Sequence, residues 1–202
     1  MSKKYEFTDE TITVNSMTLH RIKALIDFDR FGVKAGDLGG FIEVEANLSH
    51  DGNAWVSGDA LIYGNARISG NAYVYGNAYV YGNAYVYGNA RVSGNACISG
   101  DAWVSGNAKV SGDAWISENA KVSGDAKIKR SNDYACVNGF GSVYKNATFF
   151  RCEDDLIRAQ CGGFYGTIDE FRAKVKEIHG DSKYAKEYLM IADLMEYHFA
   201  ED

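Results

Sequence analysis

Four histidines are the side chains best suited to acid–base chemistry in this chain, at positions 20, 50, 179 and 198. An imidazole can remove a proton from a hydroxyl or an amine near neutral pH when a carboxylate orients it. Only His50 has a carboxylate as its neighbour, that of Asp51. His50 and Asp51 are therefore the candidate catalytic residues, although a loop histidine with a purely structural role is the more common case.

The cysteines and the charge balance favour neither a metal site nor a nucleic-acid site. Cys97, Cys136, Cys152 and Cys161 have no Cys-x-x-Cys spacing, so we expect reduced, mostly buried thiols and no metal. The net charge of −6 is not typical of a nucleic-acid binder. Five cations gather late in the chain and are expected to form a solvated end: Lys109, Lys121, Lys127, Lys129 and Arg130.

These residues lie in or beside a six-residue repeat. Between Gly52 and Lys129 the pattern aliphatic-x-Gly-(Asn or Asp)-Ala-x recurs thirteen times without a gap, with Glu118 in place of one glycine. A short fixed period predicts a solenoid. Strand side chains alternate faces, so the aliphatic residue and the alanine two positions before it point inward. Glycine followed by asparagine or aspartate suits the corners, because these residues adopt left-handed backbone at low cost.

The repeat strongly resembles the left-handed parallel β-helix of hexapeptide-repeat proteins, whose best-known members are acyltransferases. The degraded positions Ile42, Leu48, Val137, Val143 and Phe149 extend it to about six triangular coils. Segments 21–28, 33–40 and 47–50 resemble a narrower bacterial and prophage group that often carries an acyltransferase label. The resemblance implies a mostly β fold over residues 41–150.

The two ends depart from the repeat and are expected to cap it. Residues 1–40 predict a β cap with strands Thr11–Val14 and Met17–Leu25 around an Asn15-Ser16 turn. In residues 151–202, Leu156–Cys161 is a candidate strand, Thr167 to Glu170 forms a capping box, and Ser182 can begin a second helix. The two helices either cover the end of the prism, which we favour, or pair with a neighbouring subunit.

Every third repeat falls on the same outer face of a triangular solenoid. The first outer face carries Leu61, Tyr79, Cys97 and Trp115, with Tyr63 and Tyr81 beside them. The second outer face carries Arg67, Tyr85, Trp103 and Lys121, with Tyr87 alongside. The third outer face carries Trp55, Tyr73, Arg91, Lys109 and Lys127, with Tyr75 alongside.

The outward aromatic residues have two interpretations. Stacking between coils would stabilise the sheets, whereas a large exposed aromatic patch marks an interaction surface. We favour the second, with self-association into a dimer or trimer through the most apolar face, formed by Leu61, Tyr63, Tyr79, Tyr81 and Trp115. Tyr73, Tyr75, Tyr85, Tyr87 and Trp103 complete the predicted interface.

Two functions from different classes remain open at this stage. The first is a non-enzymatic module of phage or prophage origin that binds and inhibits a host protein, for example a defence nuclease. Glu153, Asp154 and Asp155 could then meet a basic channel of that partner by mimicking nucleic acid. The resemblance implies the second, an acyltransferase that uses acetyl-CoA, with His50 as its base. The regular repeat without a long insertion favours the first.

Other uses of the solenoid are less favoured. Single-stranded nucleic acid would need basic residues among the tyrosines, and a filament would need uncapped ends. The sequence has no apolar run long enough to cross a membrane and no apolar core of a signal peptide at its start. We therefore expect a cytoplasmic protein that needs no cofactor, and a direct contact with neither membrane nor nucleic acid.

Overall fold

The computed structural model describes residues 3–142, 144 and 146–200 of the chain. Its centre is a parallel β-solenoid of about 5 turns. A β-hairpin precedes the solenoid, and an antiparallel sheet with two helices follows it. The described part of the chain is therefore mostly β, with its α-helices in the C-terminal part.

The strands of the solenoid are short and recur every six residues. Three strands open the chain: β1 (Tyr5–Val14), β2 (Met17–Ala24) and β3 (Leu38–Ile42). The repeat contributes β4 (Trp55–Val56), β5 (Leu61–Ile62), β6 (Arg67–Ile68), β7 (Tyr73–Val74), β8 (Tyr79–Val80), β9 (Tyr85–Val86), β10 (Arg91–Val92), β11 (Cys97–Ile98), β12 (Trp103–Val104), β13 (Lys109–Val110), β14 (Trp115–Ile116), β15 (Lys121–Val122) and β16 (Lys127–Ile128).

The C-terminal part contains four longer strands and both α-helices. The strands are β17 (Tyr134–Val137), β18 (Ala147–Arg151), β19 (Ile157–Cys161) and β20 (Phe164–Thr167). The helices are α1 (Ile168–His179) and α2 (Lys183–Phe199). Short 3-10 turns lie at Asp29–Phe31, Glu45–Asn47 and Ser131–Asp133.

Three parallel sheets form the walls of the solenoid. One has the order β3-β5-β8-β11-β14, continued at its β3 edge by β2 and β1. The others have the orders β4-β7-β10-β13-β16 and β6-β9-β12-β15. Leu61 pairs with Tyr79, and Tyr79 with Cys97, in direct register. The three predicted outer faces are therefore confirmed.

The interior of the solenoid is a narrow column of small and branched side chains. Each valine or isoleucine of β4–β16 is at most 1% exposed, and so is the alanine that precedes it by two positions. Alternation along the strand forces this arrangement, because the residue between them must face outward. Burial of each aliphatic side chain contributes about 1.5–3 kcal/mol.

Glycine turns the corners with a left-handed backbone. Gly82 has φ of 72°, and a Cβ there would lie 3.1 Å from the amide nitrogen of Gly100 in the next turn. Glu118, the residue that replaces glycine, has φ of 56° and is exposed. Gly82, Gly100 and Glu118 stack in successive turns, and Glu118 is the last of them because the solenoid ends at β16. The exception therefore lies where no further corner stacks on its side chain.

Asparagine side chains form hydrogen-bonded ladders along the corners. In the longest ladder the Asn53 amide donates to Asn71 at 3.2 Å, and the series continues through Asn89 and Asn107 to Asp125. A shorter ladder ends at Asp101 and another at Asp113. A carboxylate accepts but cannot donate, so each aspartate terminates a run of amide donors.

The N-terminal residues cap the first turn. At the flanks of the short strands the N–H of one turn donates to the carbonyl of the next, as from Trp55 to Ala72, so the corresponding carbonyls of the first turn have no donor from a preceding turn. The buried Lys4 ammonium donates to the carbonyls of Gly52 and Ala54, at 3.2 and 3.0 Å. The Tyr5 hydroxyl donates to Leu48 at 2.9 Å. The cap thus satisfies the exposed edge.

The C-terminal cap supplies acceptors to the opposite edge. The Thr148 hydroxyl accepts from the Lys121 N–H at 3.0 Å, and Asp133 accepts from the Lys129 N–H at 2.8 Å. Thr148 and Asp133 are both buried. Each end of the solenoid therefore meets side chains of the complementary hydrogen-bonding type.

The expected sixth turn does not form. Val137 and Phe149 lie on adjacent antiparallel strands, β17 and β18, in a sheet of order β17-β18-β19-β20. Val143, the third expected marker, lies outside the described residues. Strands β17 and β18 are apolar at several consecutive positions, so an apolar residue falls on the six-residue spacing in each strand without a continuing repeat. The solenoid thus ends about twenty residues earlier than the period predicts.

The antiparallel sheet separates two hydrophobic cores. Phe150 and Cys152 pack against the core of the solenoid, whereas Phe149 packs with Phe171 of α1. The helices therefore cover the sheet, and the sheet covers the solenoid. The capping box at Thr167 forms as predicted, with the Glu170 N–H donating to its hydroxyl at 3.3 Å.

Candidate protein-binding surfaces

The N-terminal hairpin covers half of the first outer face. Leu61 and Tyr63 are 7% and 6% exposed, because they pack with Leu19 and Phe41 in a separate small core. Ile12, Val14 and Met17 of the hairpin complete this cluster. The expectation that Leu61 and Tyr63 form a free interface is therefore corrected, since the chain itself covers them.

The C-terminal half of the same face stays open. Tyr79 is 40% exposed and Trp115 is 55% exposed. The Trp115 indole nitrogen donates to the Ser99 hydroxyl at 3.2 Å, which fixes the direction of the ring. Tyr81 stacks on Tyr63 with ring centroids 5.0 Å apart. Tyr79 and Trp115 are thus the residues of this face that a partner can reach.

The second outer face presents an aromatic ridge, defined as Tyr85, Tyr87 and Trp103. The two tyrosines stack at 4.7 Å, and the Trp103 ring stands nearly perpendicular to both, at 6.0 and 6.1 Å. The Lys121 ammonium lies over the Trp103 ring at 5.2 Å. Trp103 is 43% exposed. The ridge is therefore rigid and accessible.

Two clefts flank the aromatic ridge, one on each side of Trp103. The first, about 430 Å³, is lined by Val44, Arg67 and the corner amides of Asn65 and Asn83. The second, about 730 Å³, is lined by polar residues together with Tyr144: Asp101, Asn119, Lys121, Asn138 and Asn146. An aromatic projection between two polar recesses is suited to insertion into a complementary protein surface.

The segment that contains Phe28 and Phe31 covers the aromatic end of the third outer face. Trp55 is fully buried beneath Phe28, with ring centroids 4.7 Å apart. Tyr73 stacks between Phe31 at 4.3 Å and Tyr75 at 4.6 Å. The segment around Phe28 and Phe31 therefore covers aromatic residues of this face, so the outward aromatic residues do not form a continuous exposed surface around all three outer faces.

The predicted acidic contact is largely neutralised within the chain. Glu153 pairs with Lys109 at 2.5 Å. Asp154 accepts two bonds from the Arg158 guanidinium, at 2.7 and 2.5 Å. These bonds lower the pKa of Asp154 to about 2. Asp155 lies in a turn with φ of 60°. The three carboxylates thus do not form an unpaired acidic patch.

The structure places His50 inside the N-terminal cap. Its ring stacks on Tyr5 at 4.4 Å, and its Nδ1 accepts from the Lys4 backbone N–H at 3.3 Å. The carboxylate that contacts its Nε2 is that of Glu45, at 3.4 Å. The Asp51 N–H donates to Ser49 at 3.0 Å. These contacts join His50 to the cap and give it the bonding pattern of a structural residue.

The remaining chemistry-bearing residues are dispersed. Within residues 3–142, 144 and 146–200, no group of three or more His, Cys, Asp or Glu side chains could hold a metal ion. None of the four cysteines, all of which lie among the described residues, forms a disulfide, and Cys152 is buried as expected whereas the others are half-buried. Neither helix of the described chain is long and apolar enough to cross a membrane.

Sequence reasoning missed a basic groove at the end of the third outer face. Lys127, Lys129 and Arg130 line it together with Arg151 and Tyr197, which come from β18 and α2. The cluster of lysines was visible in the sequence, but its partners depend on how the antiparallel sheet folds back. Tertiary packing alone therefore brings these residues together.

Fold and surfaces together define a capped β-solenoid repeat protein. A sequence family described as YdcK beta solenoid repeat matches residues 60–76, 66–82, 84–100 and 90–108. These segments comprise the central turns, including the aromatic ridge, and amount to less than half of the chain. A comparison with curated proteins gives no match. The match supports a solenoid repeat module and carries no acyltransferase assignment.

Proposed function

We propose that this chain is a non-catalytic protein-binding module whose principal contact surface is the aromatic ridge of the second outer face. The observation that carries the proposal is the position of Trp103, which is 43% exposed on a strand fixed from both sides by neighbouring turns. Tryptophan and tyrosine dominate the binding energy of protein interfaces. A rigid scaffold loses little conformational entropy on binding.

The finer proposal is that the partner is a host protein, which this chain binds and inhibits as a phage or prophage accessory protein. Its support is the likeness of segments 21–28, 33–40 and 47–50 to a bacterial and prophage group. Internal pairing of Glu153 and Asp154 favours the aromatic ridge over an acidic mimic of nucleic acid as the proposed contact surface. A defence nuclease remains one example of such a host protein.

We propose that self-association uses the open half of the first outer face. Tyr79 and Trp115 are the exposed aromatic residues there, and the hairpin closes the rest of that face. The sealed ends of the solenoid favour a closed oligomer over a filament. The second outer face is then free for the host protein.

The acyltransferase alternative makes a separate prediction about acetyl-CoA. An enzyme of that type would bind acetyl-CoA and lose activity on His50→Ala. Since His50 packs within the cap, we expect no heat of binding when acetyl-CoA is titrated into the protein. A saturable heat that His50→Ala abolishes would favour the enzyme.

Comparative affinity enrichment tests the principal proposal. Immobilised wild type, Trp103→Ser and Arg91→Ser are incubated with bacterial lysate, and the bound proteins are quantified by mass spectrometry. Arg91 is an exposed residue of the third outer face and serves as the matched control. We expect one host protein on wild type and Arg91→Ser, at least about tenfold reduced on Trp103→Ser, and inhibited when wild type is added to it. Equal recovery on all three proteins would contradict the proposal.

A further inference from the structure

A basic groove of about 1120 Å³ lies between the last turn of the solenoid and α2. Strand β16 and the residues that follow it form its floor, and the C-terminal half of α2 forms one wall. The groove is on the third outer face and shares no residue with the clefts beside the aromatic ridge. A ligand of the groove is therefore distinct from a ligand of the ridge.

The floor carries cations that the described chain does not neutralise. Lys127 and Lys129 form no ion pair with any described residue. Arg130 is 74% exposed, and its contact with Asp133 is loose, at 3.8 Å. By contrast, the neighbouring Lys109 pairs with Glu153. The carboxylates of Asp133 and Asp155 also line the groove, but the four cations outnumber them, so the groove is a locally positive site on a chain whose net charge is −6.

The wall of the groove is apolar and exposed. Leu194 and Tyr197 of α2 are 56% and 84% exposed, and Met190, one turn earlier, is 71% exposed. Spacings of four and three residues place these side chains in one line along the helix. The line extends for about 10 Å. An apolar stripe beside unpaired cations is therefore the chemical signature of the groove.

We propose that this groove binds an acidic, amphipathic segment of a partner protein. Aliphatic side chains of that segment contact Leu194 and Tyr197, and its carboxylates lie over Lys127 and Lys129. An amphipathic helix of two to three turns matches the length of the stripe, as in other helix-in-groove complexes. The proposal goes beyond the aromatic ridge and does not depend on it.

The apolar stripe favours such a segment over a nucleic acid. A phosphate backbone could bind the cations of the floor, but it would gain nothing from the aliphatic side chains of Met190 and Leu194. An acidic protein segment uses the cations and the apolar stripe together. The cations of the floor attract the carboxylates of the segment and fix its position along the groove, and the apolar wall buries its aliphatic side chains.

Selection from a displayed library of random peptides of about twelve residues tests the proposal, because a helix of two to three turns fits within that length. The immobilised full chain is the bait, and selected peptides are synthesised and measured by fluorescence anisotropy. We expect selected peptides to be acidic and to carry aliphatic residues at helical spacing. Selection of neutral or basic peptides, or of none above background, would overturn the proposal.

Paired variants locate the binding site of the selected peptides. We expect Lys127→Glu with Lys129→Glu to weaken binding at least about tenfold, and Leu194→Ser with Tyr197→Ser to do the same without any change of charge. Lys176→Glu with Lys186→Glu is the control, since it changes the net charge equally at exposed sites outside the groove. If the control variant weakened peptide binding equally, the effect would come from the net charge alone, and the proposal would be overturned.

Two further measurements test whether a nucleic acid or a second copy of the chain occupies the groove instead. A single-stranded oligonucleotide that binds the groove more tightly than the peptides would replace the proposal with a nucleic-acid site. Light scattering tests whether a second copy of the chain occupies the groove. If an oligomer of the wild type dissociates in the Lys127→Glu, Lys129→Glu variant, the occupant is the chain itself. We expect the oligonucleotide to bind more weakly and the oligomeric state to stay unchanged.

Discussion

Lys4 and Asp133 lie at opposite ends of the solenoid, and each is a buried charged residue that binds backbone groups of the opposite hydrogen-bonding type. Lys4 donates to the carbonyls of Gly52 and Ala54, whereas Asp133 accepts from the N–H groups of Lys129 and Arg130. The first and last turns of a parallel solenoid each have backbone groups that no further turn can bind, and these two side chains bind such groups. The chain seals both edges itself.

The buried Lys4 makes stability depend on pH in the alkaline range. Burial lowers the pKa of Lys4 from 10.5 to about 8, because the ammonium is removed from water. Between these values the unfolded chain binds more protons, so the free energy of unfolding rises with pH. We expect this rise from pH 8 towards 10.5 in the wild type and its loss in Lys4→Met. Urea unfolding at a series of pH values measures it, and parallel curves for both proteins would contradict it.

Substitution of Thr148 tests whether side-chain acceptors stabilise the C-terminal end of the solenoid. Its hydroxyl accepts from the Lys121 N–H at 3.0 Å in a fully buried position. Thr148→Val keeps the shape of the side chain but leaves that N–H without a partner, at a cost of about 1–3 kcal/mol. Thr148→Ser retains the hydroxyl and is the control. Chemical denaturation should therefore order the proteins as wild type, serine and valine, and a valine variant as stable as wild type would refute the capping role.

The corner column that ends at Glu118 gives a matched pair of substitutions. Gly82→Ala puts a Cβ at φ of 72°, 3.1 Å from the Gly100 nitrogen, and we expect a loss of about 1–3 kcal/mol. Glu118→Ala changes a position that already tolerates a Cβ, so its stability should stay within about 0.5 kcal/mol of the wild type. Thermal unfolding compares the two. Similar losses at both positions would show that stacking of the turns does not select glycine.

Trp115 tests the proposed self-association. It is 55% exposed on the open half of the first outer face, and we expect Trp115→Ser to weaken the oligomer at least about tenfold. Leu61→Ala is the informative comparison, since Leu61 is covered by the hairpin and its loss should lower stability without changing the oligomer directly. Size-exclusion chromatography with light scattering gives the mass of each protein. An oligomer that Trp115→Ser leaves intact would place the interface elsewhere.

The period of six residues predicted the solenoid walls well because register between turns depends only on spacing. The assignments of Tyr79, Trp103 and Arg91 to three different faces follow from that spacing alone. The period overestimated the length of the solenoid, because the antiparallel strand of Phe149 is buried on both faces and carries apolar residues at consecutive positions, one of which falls on the six-residue spacing.

The candidate surfaces were harder to predict than the walls. Leu61 and Tyr63 repeat in the same pattern as exposed residues, and only the docking of Leu19 and its hairpin covers them. The apolar residues of the hairpin were a usable signal, because an edge strand with a free apolar face must pack on something. The groove at Lys129 had only a partial signal in its cluster of lysines, and its apolar wall had none, since Tyr197 reaches the groove from about seventy residues further along the chain.

Site-specific photocrosslinking at position 103 tests the central claim most directly. A photoreactive phenylalanine analogue replaces Trp103 in one protein and Arg91 in the other, and both are irradiated in living host cells. The proposed function predicts one covalent adduct with a host protein from position 103, competed by unlabelled wild type and absent from position 91. No adduct at position 103, or the same adducts at both positions, would contradict the claim that the aromatic ridge is a protein-binding surface.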